Sequence, residues 1–512
     1  MAVQPTYPGV YVQALPSGVR TITGVKTSVT GFIGKAVKGP LNKATTITSF
    51  ADFEKKFGGL EKDCMMSYAV SDFYQNGGSE AVIVRIAKDS FLAKESFDTE
   101  AGNQFIIQAI DEGDWGNDIS ILINQNINLP PNETTPNNDN LFNIIVFYKD
   151  LEVEKHIKVS LDTNHSRFLP NVLKSSSTFI KVDPSSISGF LPDVVTSKKP
   201  LQGGSNGDDL TAIEYKGLES NKTGLFAFID VDLLNLLCVP PPLRDSNTFL
   251  EIWSEALKIC VSKRAILIID SPIEWGDTDQ TNNVINGLSS LGIQGIDASH
   301  ASIYFPQILK RDFLCDNQIY KFAPCGLIAG LISKNDVMRG FWKAPAGIDM
   351  GINGIKELQY NLTDQENGLL NPIGVNCLRN LPGIGKVVWG SRTMRGADIF
   401  ADEYKYLPVK RTKLFILESL YRGLQWTVFE PNYEPLWAQI RLNVGAFMHS
   451  LYAKGAFQGK KNEAYFVKCD TETTTQTDIN NGIVNIVVGF APLKPAEFVI
   501  ISLQQMAGNI LV

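Results

Sequence analysis

Three short, nearly unbroken apolar runs, 81–86 (AVIVRI), 265–269 (AILII) and 302–306 (SIYFP), do most to limit what this chain can become. A strand with one wet face alternates apolar and polar residues. A strand apolar at almost every position is buried on both faces, which requires helices above and below the sheet. A further run at 225–229 (LFAFI) reads as another such strand, and helix-length stretches at 248–261 and 282–291 lie between the runs. Strand, helix, strand, helix, strand predicts a doubly wound parallel sheet.

The same logic reaches back toward the start. Residues 29–37 read as a strand, 49–57 as a helix begun by a Ser49 cap, and 65–76 as a second helix closed by Gly77-Gly78 before the strand at 81–86. From 91 to 200 the character changes to β-prone runs (105–110, 119–124, 141–148) separated by Asn- and Pro-rich turns, which predicts a solvent-facing β insertion. The stretch 201–209 (LQGGSNGDD) is a loop by composition, and 334–383 is loop-rich. Two long amphipathic helices follow at 410–429 and 435–454, then two β-prone runs at 483–490 and 497–503 divided by Pro492 and Pro495. The predicted fold is α/β (mixed α+β): a core of mixed sheet and helices built from both chain ends, a central doubly wound α/β region and an outward β-rich insertion. The expected organisation is an extended arm at 1–20, a first core segment at 21–90, the insertion at 91–200, the middle α/β domain at 201–350, a second core segment with two long helices at 351–495, and a C-terminal extended arm at 496–512.

Composition removes several classes of function. Over 512 residues, 47 Lys and Arg against 54 Asp and Glu leave a net charge of −7, the wrong sign for a generic nucleic-acid binder. No stretch reaches the roughly eighteen apolar residues of a membrane span, and the opening lacks a signal peptide's basic and apolar regions, so synthesis in the cytosol is expected. Seven scattered cysteines without a C-x-x-C pair read as reduced, buried hydrophobes. Four histidines, His156, His165, His300 and His449, have no i, i+4 pair and no cysteine at ligand spacing, which disfavours a metal site or a triad. Gly383-Ile384-Gly385-Lys386 has Asn380 where a phosphate loop needs its first glycine, and Gly203 to Gly207 satisfies G-x-S-x-G without an apolar strand before it, so both read as turns. Asp230, Asp232 and Asp270 follow predicted strands, where an α/β enzyme places catalytic carboxylates and where Asp also starts loops or caps helices. They define the alternative reading, an enzyme on the central α/β region with a carboxylate acid or base. No cofactor and no metal are expected.

The two ends are less ordinary. Three prolines, Pro5, Pro8 and Pro16, bracket Val10, Tyr11 and Val12 in a segment whose one charge is Arg20. With the β-prone C-terminal runs, both ends can donate backbone hydrogen-bonding groups to an exposed sheet edge. A subunit that gives an arm to one neighbour and receives one from another makes head-to-tail contacts, whose natural product is a helical polymer. The basic cluster Lys405, Lys410, Arg411, Lys413 and Arg422, and a second one of Lys454, Lys460 and Lys461, fit a solvated helix face and equally a face that docks on a complementary protein.

These residues resemble a known family. Tyr7-Pro8-Gly9-Val10-Tyr11-Val12, then VTGFIG at 29–34 and Gly39-Pro40, are similar to the N-terminus of the contractile tail sheath proteins of bacteriophages, R-type bacteriocins and extracellular contractile injection systems. So are Asn76-Gly77-Gly78 before AVIVR, the stretch 370–389 (LNPIGVNCLRNLPGIGKVVW) with Gly390-Ser391-Arg392-Thr393, the segment 406–426, and Phe429-Glu430-Pro431-Asn432. The resemblance is strong at both ends, moderate at 224–242 and 263–272, and absent from 91–200. It implies a structural subunit without catalysis, assembling as stacked six-subunit rings around an inner tube and contracting to drive that tube through a target envelope. Implied partners are the chain itself, the inner tube protein, and baseplate and terminal cap proteins, with no nucleic acid and no membrane insertion. Assembly is expected in the bacterial cytoplasm, within a phage tail or a phage tail-like particle. On this resemblance the exchanged strands and their acceptor edge comprise Val10, Tyr11 and Val12 with Val484, Ile486, Val488, Phe498, Val499, Ile500 and Ile501. The face turned to the tube comprises Lys410, Arg411, Lys413, Lys454, Lys460 and Lys461.

Overall fold

The computed structural model describes residues 20–126, 140–187 and 189–500. The chain divides into two compact units, a larger one of 28–334 with 345–405 and a smaller one built from 1–27, 335–344 and 406–512. The split differs from the expected domains. Residues 28–90 share one sheet with the middle of the chain and with 375–388 of the expected second core segment, Thr30–Gly34 being hydrogen-bonded between Ala81–Arg85 and Leu236–Cys238.

In the larger unit, eight strands form one sheet in the order Gly385–Val388, Val375–Leu381, Ala301–Phe305, Ile266–Asp270, Leu236–Cys238, Thr30–Gly34, Ala81–Arg85, Thr45–Ile47. The ladders are parallel except at the two outermost pairs. Every residue of the strands Thr30–Gly34, Ala81–Arg85, Ile266–Asp270 and Ala301–Phe305 is buried, as their largely apolar sequences demand, and the polar Thr30, Arg85, Asp270 and Ser302 are buried with them. The helix Phe50–Phe57 starts where Ser49 accepts from the Asp52 backbone N–H and ends at Gly58 with φ 93°, the left-handed turn that glycine adopts without strain.

One expected strand is absent. Residues 224–230 form a 3-10 helix, and the parallel ladder is taken by Leu236–Cys238. Two apolar runs follow one another closely in the sequence, and the chain uses the second for the sheet. Leu225, Ala227 and Phe228 of the first pack into the core instead.

Residues 93–201 enclose a core of their own, from Phe97, Phe105 and Trp115 to Leu191 and Leu201. It lies among a four-stranded antiparallel sheet (Val195–Pro200, Ile119–Asn124, Leu141–Tyr148, Leu151–Ser160) and a three-stranded one (Lys94–Asp98, Gln104–Ala109, Ile180–Val182).

The helix Met65–Gln75 is buried at eight of its eleven positions. One reason is how closely the helix Cys325–Arg339 approaches it. A Cβ on Gly326 would lie 2.0 Å from the Ala69 carbonyl oxygen, and one on Gly330 would lie 2.4 Å from that of Phe73. These neighbours are backbone and cannot swing aside, so Gly326→Val should cost about 3 kcal/mol or more. Its melting temperature and soluble yield should both drop well below those of the exposed control Gly368→Val. Equal melting of the two variants would show that the helices separate freely.

The smaller unit is built on two helices, Leu407–Gly423 and Glu434–Ala453, and a two-stranded antiparallel sheet of Tyr465–Lys468 and Val487–Phe490.

Candidate functional site

In the smaller unit, Pro408 and Pro435 sit in the first turns of the two helices, where the missing N–H costs nothing. The first helix stops at Gly423, short of the expected 429. A 3-10 turn follows at Gln425–Thr427, and Phe429 takes φ 69° just before Pro431. The second helix turns Trp437, Ile440, Val444, Phe447, Met448 and Leu451 inward at helical spacing, onto Ile416 and Leu420 of the first. Across these helices runs the strap 20–27. Ile22 is buried with their core, the Arg20 backbone N–H donates to Asn443 Oδ1 at 3.1 Å, and that of Val25 to Ser419 Oγ at 3.2 Å.

The two-stranded sheet pairs Tyr465 with Phe490 through to Lys468 with Val487. Among the described residues no third strand adds to either side of it. The expected strand at 483–490 is thus half as long as the sequence suggests. Val484, Ile486 and Val488 alternate inward onto the unit's own core, while Ile483 and Val487 point out. Those three side chains are therefore committed within the subunit, which leaves the backbone edge of Val487–Phe490 to offer a neighbour. Phe498, Val499 and Ile500 are 74%, 80% and 90% exposed. Val10, Tyr11, Val12 and Ile501 lie outside the described residues.

Two of the basic residues expected to face the tube do not lie on the surface. Lys410 and Arg411 are each 5% exposed, within a helix start buried from Leu407 to Thr412. Arg411 grips both carboxylate oxygens of Asp336, itself 4% exposed at its side chain, and Arg411 Nη2 also donates to the Thr27 carbonyl at 2.9 Å. Amphipathic spacing predicts a wet side along the whole helix, and its first turns have none. Lys413 is half-buried; Lys454, Lys460 and Lys461 are exposed.

In the larger unit, Asp230 is exposed and pairs with Lys222 at 2.6 Å, and Asp232 is exposed as well. Asp270 is different. It is buried at the carboxyl end of its strand, and Oδ1 accepts from the Cys325 N–H at 2.8 Å, the first residue of the helix Cys325–Arg339. Gly383 and Ile384 lie in the turn between the strands Val375–Leu381 and Gly385–Val388, Gly385 and Lys386 open the second of these, and Ser205 bridges to Phe91 within a loop. Gly390-Ser391-Arg392-Thr393 holds the fold together at this end of the sheet. Arg392 is fully buried, its Nη1 donates to the Gly396 carbonyl and to Asp398, and Asn376 Nδ2 bonds Ser302 Oγ and the Arg392 carbonyl.

Sequence patterning did not single out Asp336, Ser419 or Asn443. Asn443 carried a usable signal, because it is a polar residue within the apolar stripe of the second helix.

Residues 295–394 match the family model described as the phage tail sheath protein central domain. Over that stretch the chain is similar to the central domain of phage tail sheath proteins. The matched stretch supplies strands of the eight-stranded sheet and the buried Asn376 and Arg392 network. The tail sheath protein of Vibrio phage KVP40 is 25% identical over 177 residues, covering 34% of this chain and 25% of that protein, so the match spans a quarter of the relative's length. A chain in the cryo-EM structure of the anti-feeding prophage baseplate is 21% identical with TM-score 0.57, over 98% of this chain and all of that one. One in the contracted sheath complex of an extracellular contractile injection system, PVC, is 18% identical with TM-score 0.59, over 98% and 99%. The crystal structure of a sheath tail protein from Listeria innocua is 11% identical with TM-score 0.60, over 92% and 96%. At these identities the likeness establishes the mixed α/β sheath fold.

Proposed function

We propose that this chain is the structural subunit of a contractile sheath, polymerising as stacked six-subunit rings around an inner tube and contracting to drive that tube through a target cell envelope. The observation that carries this reading is the tail sheath central domain at 295–394, set in a fold that matches sheath proteins along nearly the whole chain. The work is mechanical: energy is stored in an extended lattice at assembly, and no catalytic group takes part. Its partners are further copies of itself, the tube protein, and baseplate and terminal cap proteins. It assembles in the bacterial cytoplasm as a component of a phage tail or a tail-like particle.

The open sheet Tyr465–Lys468 with Val487–Phe490 supports strand exchange as the means of linkage, since an uncovered edge is a template for an incoming strand. The donors are the segments around Val10 to Val12 and around Phe498 to Ile501. Main-chain ladders of this kind stay joined while rigid bodies on either side rotate. The exposed lysines Lys454, Lys460 and Lys461 serve as the basic face toward the tube.

Negative-stain microscopy of the overexpressed chain, full-length and lacking residues 1–15, tests the reading. The full chain should give hollow tubes of uniform width. The truncated one should give folded single subunits with unchanged far-ultraviolet circular dichroism. Tubes of normal length from the truncated chain would refute arm exchange, and small closed oligomers from the full chain would refute the sheath role.

A further inference from the structure

The longest strand of the insertion, Leu151–Ser160, is one edge of its four-stranded sheet, and it is the kind of edge that invites a further strand. Leu151, Val153 and Ile157 are exposed along it, and among the described residues no other strand pairs with its free side. Against Leu141–Tyr148, on its other side, the pairing slips twice. Glu154 faces Val146 and Glu152 faces Phe147, which leaves Val153 as an extra residue. Val159 faces Phe142 and His156 faces Ile144, which sets Ile157 and Lys158 together against Asn143. Bulges of this kind bend the strand and release backbone groups from the ladder.

At the second bulge, side chains take the released groups. Lys158 has φ 51°, outside the strand region, and its N–H donates to Asn143 Oδ1 at 2.9 Å. The carbonyls of Ile157 and Lys158 accept from Arg167, from Nη2 and Nε respectively, each at 2.8 Å. One planar guanidinium thus spans two consecutive carbonyls, a fit that the compact ammonium of a lysine lacks. The backbone of Arg167 is held in place for this, its carbonyl accepting from the Ser160 N–H at 3.0 Å and its N–H donating to His165 Nδ1 at 3.0 Å. The opposite edge strand, Val195–Pro200, is closed by other means. It slips register between Val195 and Lys199, carries Lys198 and Lys199, and ends on a proline with no N–H to give.

We infer that Arg167 is a plug on this sheet edge, and that what it keeps out is the same edge of a second copy of the chain. Two copies of one edge strand can meet antiparallel about a two-fold axis, where Leu151, Val153 and Ile157 of each would cover those of the other. An incoming strand must donate to carbonyls on the edge, and those of Ile157 and Lys158 already hold the guanidinium. Arg167 is exposed, and both of its described side-chain bonds go to these carbonyls. In a chain that links to its neighbours through one sheet edge, a plug on another edge keeps the linkage specific. The inference goes beyond the sheath reading and stands without it, because an unpaired ten-residue edge is a hazard to any folded chain.

Removing the plug should make the edge adhesive. The full-length Arg167→Ala chain, held well below its melting temperature, should turn turbid and bind thioflavin T about tenfold faster than the unmodified chain, at a rate that falls on dilution. Adding Ile157→Lys to Arg167→Ala places a charge on the same edge without restoring either hydrogen bond, and should return both signals to the unmodified rate. Tubes of folded subunits, where they form, raise turbidity alike in all three proteins and leave the thioflavin T difference intact. An Arg167→Ala chain that stays clear and dark would overturn the inference. So would a double variant that aggregates as fast as the single one, or a rate that dilution leaves unchanged, since either result would make Arg167 a support of the fold and not a guard of the edge.

Discussion

Replacing either partner of the Arg411–Asp336 pair should destabilise the smaller unit by about 3–5 kcal/mol, the range for leaving one charge of a buried pair uncompensated. Both side chains are 4% exposed, so solvent cannot take over for the missing partner. Arg411→Met strands a carboxylate, and Asp336→Leu strands a guanidinium whose remaining described acceptor is the Thr27 carbonyl. The double variant should recover most of the loss, because two apolar side chains in that space carry no desolvation cost. The cycle therefore predicts strong non-additivity, read as the urea midpoint of each protein. If the double variant loses the sum of the two single losses, the pair contributes nothing as a pair, and the helix start is held by its apolar packing alone.

That pair also marks how far a sequence can be read. Apolar runs gave the strands at 81–85, 266–270 and 301–305, and local chemistry gave the Ser49 cap, because each of these depends on residues within a few positions of one another. The strand 141–148 was legible for the same reason, with its bounds at Leu141 and Tyr148. Choosing between the runs at 225–229 and 236–238 was not a local matter. Both are apolar enough, and the decision lies in which one meets Thr30–Phe32 in register. Likewise nothing near Arg411 in the sequence announces Asp336, 75 positions away. A pattern of charges opposite a stripe of leucines looks the same whether the charged side meets water or a buried carboxylate. The close helix approach did leave a trace: two glycines four apart, Gly326 and Gly330, on a segment otherwise apolar.

The Asp270 carboxyl should take stability from the chain as pH rises from about 4 to 7, by an amount that Asp270→Asn removes. Asp270 is buried at a strand end, and burial pushes its carboxyl up to about 7 from 3.8, although the bond from the Cys325 N–H favours the charged form. The thiols around it, Cys238 and Cys325, are themselves pushed up by burial and stay neutral, so they supply no counter-charge. Oδ2 has no hydrogen-bond partner among the described residues. The sign follows from which state holds the proton. Between the unfolded value near 3.8 and the folded one near 7, the folded chain keeps a proton that the unfolded chain has released, so rising pH favours unfolding throughout that window and has no further effect above it. At about 1.4 kcal/mol per pH unit the window amounts to about 4 kcal/mol. The amide of the Asp270→Asn variant would be neutral at every pH and could still accept from Cys325, so the gap in unfolding free energy between that variant and the unmodified chain should shift by this amount in favour of the variant from about pH 4 to about pH 8. Other groups titrate alike in both proteins and cancel in the difference. Parallel profiles would mean that the carboxyl ionises in the folded protein as it does in water, and that solvent reaches Oδ2 at the end of the strand.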